Sequence, residues 1–182
     1  MTFPTGTRSL GPDNASLQVK TYREGLAAKA GHDLIIDVTR WDATLEVADD
    51  PAGWTVELNA DPRSLEIREG LHGVKPLTDK DRLEIRKNID EKILGGSPIQ
   101  FRGSSVRLAD DGGRLTVEGE LSMAGSTRPL TAHLSVQDGA RVSGAIPVKQ
   151  SGWGIKPYRG LMGALKVRDE IEVVIAADLA TN

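Results

Sequence analysis

Residues 98–136 read PIQFRGSSVRLADDGGRLTVEGELSMAGSTRPLTAHLSV, and this stretch decides the fold. Apolar and polar residues alternate along it, and turn-forming residues interrupt the alternation at 110–113 (DDGG) and at 124–126 (AGS). The apolar face of the middle segment consists of Leu115, Val117, Gly119, Leu121 and Met123. Alternation with period two is typical of strands with one dry face and one wet face, and short connections indicate antiparallel neighbours. We therefore predict a meander whose dry face is covered or curls around an interior.

The same alternation recurs on both sides of this meander. We predict further strands at 16–22, 34–38, 40–47, 54–59, 64–68, 141–149 and 170–179. Residues 24–31 (EGLAAKAG) fit either a short helix or a loop. The chain is therefore predicted to be all-β with one main helix, built on an antiparallel barrel of about eight strands. A barrel of that size holds either packed side chains or one small ligand.

The main helix is predicted at residues 78–94. Thr78 and Asp81 have the spacing of a capping box, and Gly95 with Gly96 marks the end of the helix. Between them, isoleucines recur at a spacing of four, at Ile85, Ile89 and Ile93. This apolar stripe must pack on another apolar surface, and we expect the helix to close one end or one side of the barrel.

The composition limits the class of protein. The chain has 182 residues, which suits one domain, and we divide it into a loose lead-in at 1–13 and a single barrel domain at 14–182. The net charge of −3 argues against a nucleic-acid partner, and the lack of cysteine excludes thiol chemistry. No apolar run approaches the about 20 residues of a membrane span, and no secretory signal is visible, so we expect a cytoplasmic protein.

Four segments spread over nearly the whole chain share a family pattern. They are GHDL at 31–34, SPIQF at 97–101 after the charged helix, LTVEGEL with GSTRPL at 115–130, and VRDEI at 167–171. The third is the most specific. With them, the order of elements resembles the YceI-like family, also called polyisoprenoid-binding or lipid-binding YceI domains.

This resemblance implies an extended lipocalin-like antiparallel barrel with an interior tunnel for a long apolar molecule. An isoprenoid quinone, a polyprenyl chain, a fatty acid or a fatty amide would suit such a tunnel. Many proteins of this family form homodimers, so we expect a second copy of the chain as partner. Members of the family with a known exported role carry a signal peptide, whereas we expect none in this chain. The chain also differs in the purely aliphatic apolar face of its helix and in a glycine-rich segment at 153–160. We expect no cofactor other than a bound isoprenoid or fatty-acyl lipid.

Candidate ligand-binding residues follow from the apolar faces of the strands. The wall residues are Ile99, Phe101, Leu115, Val117, Leu121, Leu130, Leu134, Val173 and Ile175. Trp153, Tyr158 and Met162 lie in the glycine-rich loop 152–163, which forms either a movable tunnel mouth or a buried plug. Ligand access is predicted through this loop, and the segment 70–76 is the alternative at the other end.

No catalytic or metal-binding residue is predicted. The three histidines, His32, His72 and His133, are not expected to converge on a metal, because His133 lies on the outward face of its strand. His32 and Asp33 either cap a strand or orient a proton. No nucleophile elbow, dinucleotide fingerprint or phosphate-binding loop occurs. We therefore expect a non-catalytic carrier or sequestering protein. The alternatives are an enzyme that uses the barrel as a dry reaction chamber and a fully packed structural domain.

Overall fold

A computed structural model describes residues 3–180. Within this range there are fourteen strands. They are β1 Gly6–Leu10, β2 Ala15–Thr21, β3 Arg23–Glu24, β4 Asp33–Val38, β5 Trp41–Val47, β6 Thr55–Ala60, β7 Leu65–Leu71, β8 Ile99–Leu108, β9 Arg114–Met123, β10 Ser126–Gln137, β11 Arg141–Lys149, β12 Arg159–Gly160, β13 Leu165–Val167 and β14 Glu170–Asp178. One helix, α1 Asp79–Asn88, continues into a π-helical turn, Ile89–Leu94. Short 3₁₀ turns lie at Ala28–Ala30, Pro51–Gly53, Pro62–Ser64, Gln150–Trp153 and Leu161–Gly163.

Eleven strands form one curled antiparallel sheet, in the order β1-β5-β6-β8-β9-β10-β11-β14-β2-β4-β7. The predicted meander occupies its middle as β8, β9 and β10. Between β9 and β10, Met123 pairs with Ser126, and Ala124 and Gly125 form the two-residue turn with φ of 49° and 74°. Positive φ at both central residues is the geometry that matches the twist of a hairpin. The predicted face of β9 is confirmed, since Leu115, Val117, Gly119, Leu121 and Met123 are all buried.

The fold class is confirmed, but the predicted number of about eight strands is too low. Residues 39–40 alone separate β4 from β5, and the tight turn 61–64 separates β6 from β7. Backbone hydrogen bonds from Thr39 to Ser64 and from Asp61 to Arg40 join these two bends. The predicted segments 34–38, 40–47, 54–59 and 64–68 already separate the strands on either side of these bends. The strands that have no predicted segment are β1, β3, β12 and β13.

The predicted loose lead-in is wrong for Gly6–Leu10, which forms β1 and pairs with β5 at the sheet edge. Arg8, on this strand, is only 4% exposed. Its guanidinium donates to the carbonyl oxygens of Leu179 at 3.1 Å, Pro4 at 2.9 Å and Thr7 at 3.2 Å. The strand buries a cation rather than an apolar side chain. Residues 1–2 of the lead-in and 181–182 of the predicted domain lie outside the described part of the chain.

The predicted helix is confirmed. Thr78 Oγ1 accepts from the backbone N–H of Asp81 at 3.2 Å, and Asp81 Oδ2 accepts from the backbone N–H of Thr78 at 2.8 Å, so the capping box is complete. Gly95 and Gly96, with φ of 60° and 67°, end the helix. The side chain of Arg82 donates to the carbonyl oxygen of Ile67 at 2.6 Å and holds the helix against β7.

Residues 24–31, ambiguous in the sequence, form a loop with one 3₁₀ turn. With the segment 156–168 this loop contributes to a second, three-stranded sheet in the order β12-β13-β3. Gly160 pairs with Leu165, and Lys166 pairs with Glu24. The small sheet joins two loops that the sequence places far apart.

Candidate ligand-binding cavity

The barrel encloses a cavity of about 710 Å³. Its lining is mostly apolar and comes from strands all around the sheet and from the helix. The isoleucine stripe of the helix, Ile85, Ile89 and Ile93, faces this cavity, as does Leu94 at the end of the helix. The volume is within the range of about 300–1,000 Å³ typical of small-molecule sites. The sheet and the helix therefore form a hollow container instead of a filled core.

One end of the cavity is sealed by apolar packing. Phe3 and Trp54 meet edge to face, with ring centroids 5.1 Å apart and planes at 87°. Trp54 Nε1 donates to the carbonyl oxygen of Ala48 at 2.8 Å. Leu179, which is 2% exposed, and Val106 pack into the same cluster. At this end the side chains that line the cavity are buried, so there is no opening among the described residues.

The opposite end is open. The cavity is lined there by residues that are themselves exposed, namely Ala30, Lys75, Pro76, Thr78, Glu84 and Tyr158. Three loops surround this mouth: 22–32, 71–77 and 156–168. The two segments that the sequence analysis placed at opposite ends, 70–76 and 152–163, therefore flank the same opening. The loop 22–32 lies between them and is hydrogen-bonded to both. The backbone N–H of Val74 donates to the carbonyl oxygen of Lys29 at 3.2 Å, and the backbone N–H of Ala27 donates to the carbonyl oxygen of Ala164 at 2.9 Å.

Ten of the twelve residues predicted to bind ligand line the cavity. They are Ile99, Phe101, Leu115, Val117, Leu121, Leu130, Leu134, Tyr158, Val173 and Ile175. Their contact with a ligand stays a prediction, but the position of the nine strand residues on one apolar wall follows from strand alternation. Tyr158 is the rim residue of this set, with 39% of its surface exposed.

Trp153 and Met162 do not line the cavity. Trp153 is 6% exposed and packs with Met123, Ile146 and Val148, and its Nε1 donates to the carbonyl oxygen of Leu121 at 2.8 Å. The 3₁₀ turn Gln150–Trp153 folds this ring behind the wall. Met162 is fully exposed and is not part of the cavity lining. The loop 152–163 is thus buried at Trp153 and lines the mouth of the cavity at Tyr158.

A polar cluster that leaves no pattern in the sequence anchors the loops at the mouth. Asp33 Oδ1 accepts from the backbone N–H of Arg23 at 2.8 Å, and Asp33 Oδ2 lies 2.7 Å from Nδ1 of His72. The guanidinium of Arg23 donates to the carbonyl oxygens of Ala28, Gly31 and His72. Burial by itself would raise the pKa of Asp33, but the hydrogen bonds from Arg23 and His72 and their charges together lower it. Asp33 therefore ties two loops together, which supports its strand-capping interpretation.

The three histidines have separate surroundings. His32 lines the cavity mouth, where its Nε2 lies 2.6 Å from the carbonyl oxygen of Lys75. His133 is exposed on the outer face of β10, where its Nδ1 lies 3.2 Å from Thr116 Oγ1. Within residues 3–180, no three His, Asp or Glu side chains are grouped to hold a metal ion. No helix in the same range is long and apolar enough to cross a membrane.

A second polar contact lies below the mouth. The hydroxyl of Tyr22 donates to Glu172, and this hydrogen bond, burial and the nearby carboxylates raise the pKa of Tyr22 to about 12. The guanidinium carbon of Arg168 lies 5.3 Å from the centre of the Tyr22 ring and opposes part of this shift. The contact joins β14 to the start of loop 22–32.

Gly119 marks a close approach of two strands in the wall. A Cβ atom at this position would lie 2.2 Å from the carbonyl oxygen of Arg102 and 2.7 Å from the ring of Phe101. The register between β8 and β9 shifts by one residue beside it, between Gly103 and Ser105. Only glycine fits this bulged crossing without moving the backbone.

Comparisons with known proteins agree with this architecture. Residues 13–179 match the family model described as the YceI-like domain. Among curated proteins, none matches the chain significantly. One similar solved structure is BcnA from Burkholderia cenocepacia, with 16% identity, 89% of this chain and 94% of that chain covered, and a TM-score of 0.62.

A second similar structure is a polyisoprenoid-binding domain from Saccharophagus degradans that is implicated in plant cell wall breakdown. It shares 12% identity, covers 95% of this chain and 97% of its own, and gives a TM-score of 0.60. At these identities the likeness shows a common fold.

Proposed function

The chain belongs to the YceI-like family, and from this and its hollow interior we propose that it binds a long apolar molecule and carries or sequesters it without chemical change. An isoprenoid, a quinone tail or a fatty-acyl chain fits the proposal. The observation that carries it is the cavity, whose wall is mostly apolar, and which is sealed at one end and open at the other.

The energetics favour a chain-like ligand. Each CH₂ group transferred from water into an apolar interior gains about 0.8 kcal/mol. A chain of about a dozen carbons gains on the order of 10 kcal/mol, against an association cost of roughly 4 kcal/mol or more. No charged partner inside the barrel is needed for such binding. Affinity should rise roughly four-fold for each added CH₂ until the cavity is full, and then stop rising.

The polar side chains of the lining favour one orientation of the ligand. Arg23, His32, Lys75 and Lys166 all belong to the mouth, whereas the sealed end presents Leu45, Val106, Leu179 and similar groups. We propose that the apolar tail points toward the sealed end and that a polar head group stays at the mouth. This arrangement leaves no polar group of the ligand buried without a partner.

A matched pair of substitutions on β10 tests the cavity as the binding site. Ala132 lines the cavity, whereas its neighbour Thr131 is exposed on the outer face. Ala132→Trp should weaken the binding of a fluorescent long-chain acyl probe at least ten-fold, because the ring occupies the space of the chain. Thr131→Trp should leave the affinity unchanged. Circular dichroism shows that both variants are folded before they are compared.

Organic extraction of the purified protein followed by mass spectrometry identifies any molecule that it carries. An intact long-chain molecule supports the proposal. If neither a co-purified molecule nor binding of any chain-length probe is found, the barrel is a structural domain instead. A chemically altered chain after incubation, lost in His32→Ala, would favour an enzyme, since His32 is the imidazole that lines the cavity.

A further inference from the structure

The exposed apolar side chains of this protein are concentrated at the cavity mouth. Within residues 3–180, six large apolar side chains are exposed, and five of them lie in the three loops of the mouth. They are Leu26, Val74, Tyr158, Leu161 and Met162, and the sixth is Leu83 on the helix. Leu26 and Met162 are completely exposed, at 102% and 107%. Scattered apolar residues need no explanation, but a cluster around an opening indicates a contact surface.

Two of these residues are held in an unfavourable backbone conformation. Leu161 and Met162 have φ of 48° and 54°, in the left-handed region that glycine and asparagine usually occupy. They lie in the hairpin turn between β12 and β13, where Gly160 pairs with Leu165. Turn chemistry alone would select small or polar residues here. Something other than the turn therefore accounts for two large apolar side chains directed into solvent.

The loops are packed together, so these side chains form one surface. A Cβ atom on Gly25 would lie 2.4 Å from the carbonyl oxygen of Ala164, which shows how closely loop 22–32 approaches the turn at 161–164. The N–H of Ala164 bonds in turn to the carbonyl oxygen of Leu161 at 3.2 Å. Val74 joins the same group through its bond to Lys29.

The same loops are strongly basic in a protein whose net charge is −3. They contain seven Lys and Arg residues but only one carboxylate, Glu24. The basic residues are Arg23, Lys29, Lys75, Lys156, Arg159, Lys166 and Arg168. Arg23 pairs with Asp33, and within residues 3–180 no carboxylate lies at ion-pair distance from the other six. The acidic groups at the remaining rim, Asp81 and Glu84, belong to the first turns of the helix.

We propose that these three loops dock the cavity mouth onto a bilayer surface that carries anionic head groups. The exposed apolar side chains enter the boundary of the acyl chains, and the surrounding cations meet the head groups. A second copy of the chain fits this surface less well, because a two-fold interface would bring the same cations together. Anionic head groups repel the acidic start of the helix, so contact is made through the loops.

This inference rests on the proposed function, since it supplies the route of exchange for an apolar cargo. A chain that leaves a bilayer through water loses about 0.8 kcal/mol for each exposed CH₂ group. A mouth pressed against the bilayer lets the chain pass from one apolar medium to the other. Vesicle binding by the mouth loops can nevertheless be measured without any cargo in the cavity.

Co-sedimentation with vesicles tests the proposal. The wild-type protein should bind vesicles of phosphatidylglycerol mixed with phosphatidylcholine, bind phosphatidylcholine alone at least ten-fold more weakly, and lose affinity as salt is raised. Leu26→Ser with Leu161→Ser should weaken binding to the anionic vesicles roughly ten-fold or more. Lys29→Glu with Arg159→Glu should weaken it by more than twenty-fold, at roughly five-fold for each cation removed.

Matched controls are available outside the three loops. Leu83→Ser removes an exposed leucine from the helix, and Lys87→Glu with Arg114→Glu reverses two exposed cations outside the loops. These variants should bind anionic vesicles within two-fold of the wild type. Equal losses in the control and loop variants would overturn the proposal, since binding would then follow overall charge or hydrophobicity.

The remaining outcomes separate this inference from the proposed function. None of the loop substitutions lies in the cavity lining, so the affinity for a soluble acyl probe should not change. Probe binding without vesicle binding overturns the docking surface and leaves the carrier proposal intact. Vesicle binding without probe binding overturns the carrier proposal and leaves the docking surface intact. A loop variant that alters the mass in light scattering, but not vesicle binding, shows that the surface contacts a second copy instead.

Discussion

Trp153 and Tyr158 are five residues apart in one loop, and the structure predicts opposite consequences of removing them. Trp153→Ala should destabilise the fold, because its ring is 6% exposed and its indole N–H donates to Leu121. Truncation of a buried aromatic ring costs about 3–5 kcal/mol. For a chain of this length, each kcal/mol lowers Tm by about 2–4 °C, so the expected decrease is roughly 6–20 °C. A domain stability of about 5–15 kcal/mol leaves the variant folded at low temperature.

Tyr158→Ala should act on binding instead of stability. Its side chain is 39% exposed and lines the rim, so the expected change in Tm is at most about 2 °C. Loss of the contact between Tyr158 and the acyl chain of the probe should weaken probe binding roughly five-fold, which corresponds to about 1 kcal/mol. Trp153→Ala, measured well below its Tm, should retain the affinity of the wild type.

Thermal unfolding by circular dichroism and titration of a fluorescent acyl probe measure both effects. Met162→Ala is the control from the same loop, and it should change neither Tm nor affinity, because Met162 is fully exposed outside the cavity. The reasoning is refuted if Trp153→Ala leaves Tm unchanged and lowers the affinity for the probe, since Trp153 would then contact the ligand directly.

Two further predictions concern the barrel wall and its polar contacts. Gly119→Ala should lower the free energy of unfolding, measured in urea, by about 1–3 kcal/mol. The control is Gly152→Ala, which should stay within about 0.5 kcal/mol of the wild type because a Cβ atom there has no neighbour within 4 Å. Equal effects of the two substitutions would contradict the close approach of β8 and β9. Tyr22→Phe should cost about 1 kcal/mol at neutral pH by removing the hydrogen bond to Glu172. The folded-state pKa of Tyr22, about 12, lies above the ordinary 10.0, so this stabilisation is complete below pH 10 and is lost as the pH rises toward 12. The stabilities of the wild type and the variant should therefore converge near pH 12. A constant difference between them across this range would contradict the assignment of the stabilisation to the hydrogen bond from Tyr22 to Glu172.

The wall of the cavity could be predicted from the sequence because strand alternation is local. Leu115, Val117 and Leu121 lie two or four residues apart, and this spacing alone places them on one face. The helix was equally accessible, since its capping box and glycine stop are formed by neighbouring residues. Such patterns determine which way a side chain faces without reference to the rest of the chain.

The first strand and the mouth could not be predicted in this way. Gly6–Leu10 shows no apolar alternation, because its inward residue Arg8 satisfies its charge through carbonyl groups as far away as Leu179. The anchor Asp33 similarly bonds to His72, 39 residues away. Contacts over such separations are set by the fold and leave no spacing in the sequence. Trp153 was misplaced for a related reason, since the tight turn that folds its ring behind the wall is not encoded by periodicity.

The two ends of the barrel are held by different kinds of interaction, and this difference matches what each end must do. At the sealed end, Phe3, Trp54 and Leu179 exclude water through apolar packing that can be disrupted only by exposing the core. At the mouth, the loops are joined mainly by hydrogen bonds of Arg23 and Asp33, whose groups regain water as partners when the loops separate. Opening the mouth therefore costs far less free energy than unfolding the barrel. Under the proposed function, a long molecule would enter and leave at the mouth while the sheet and the sealed end stay intact.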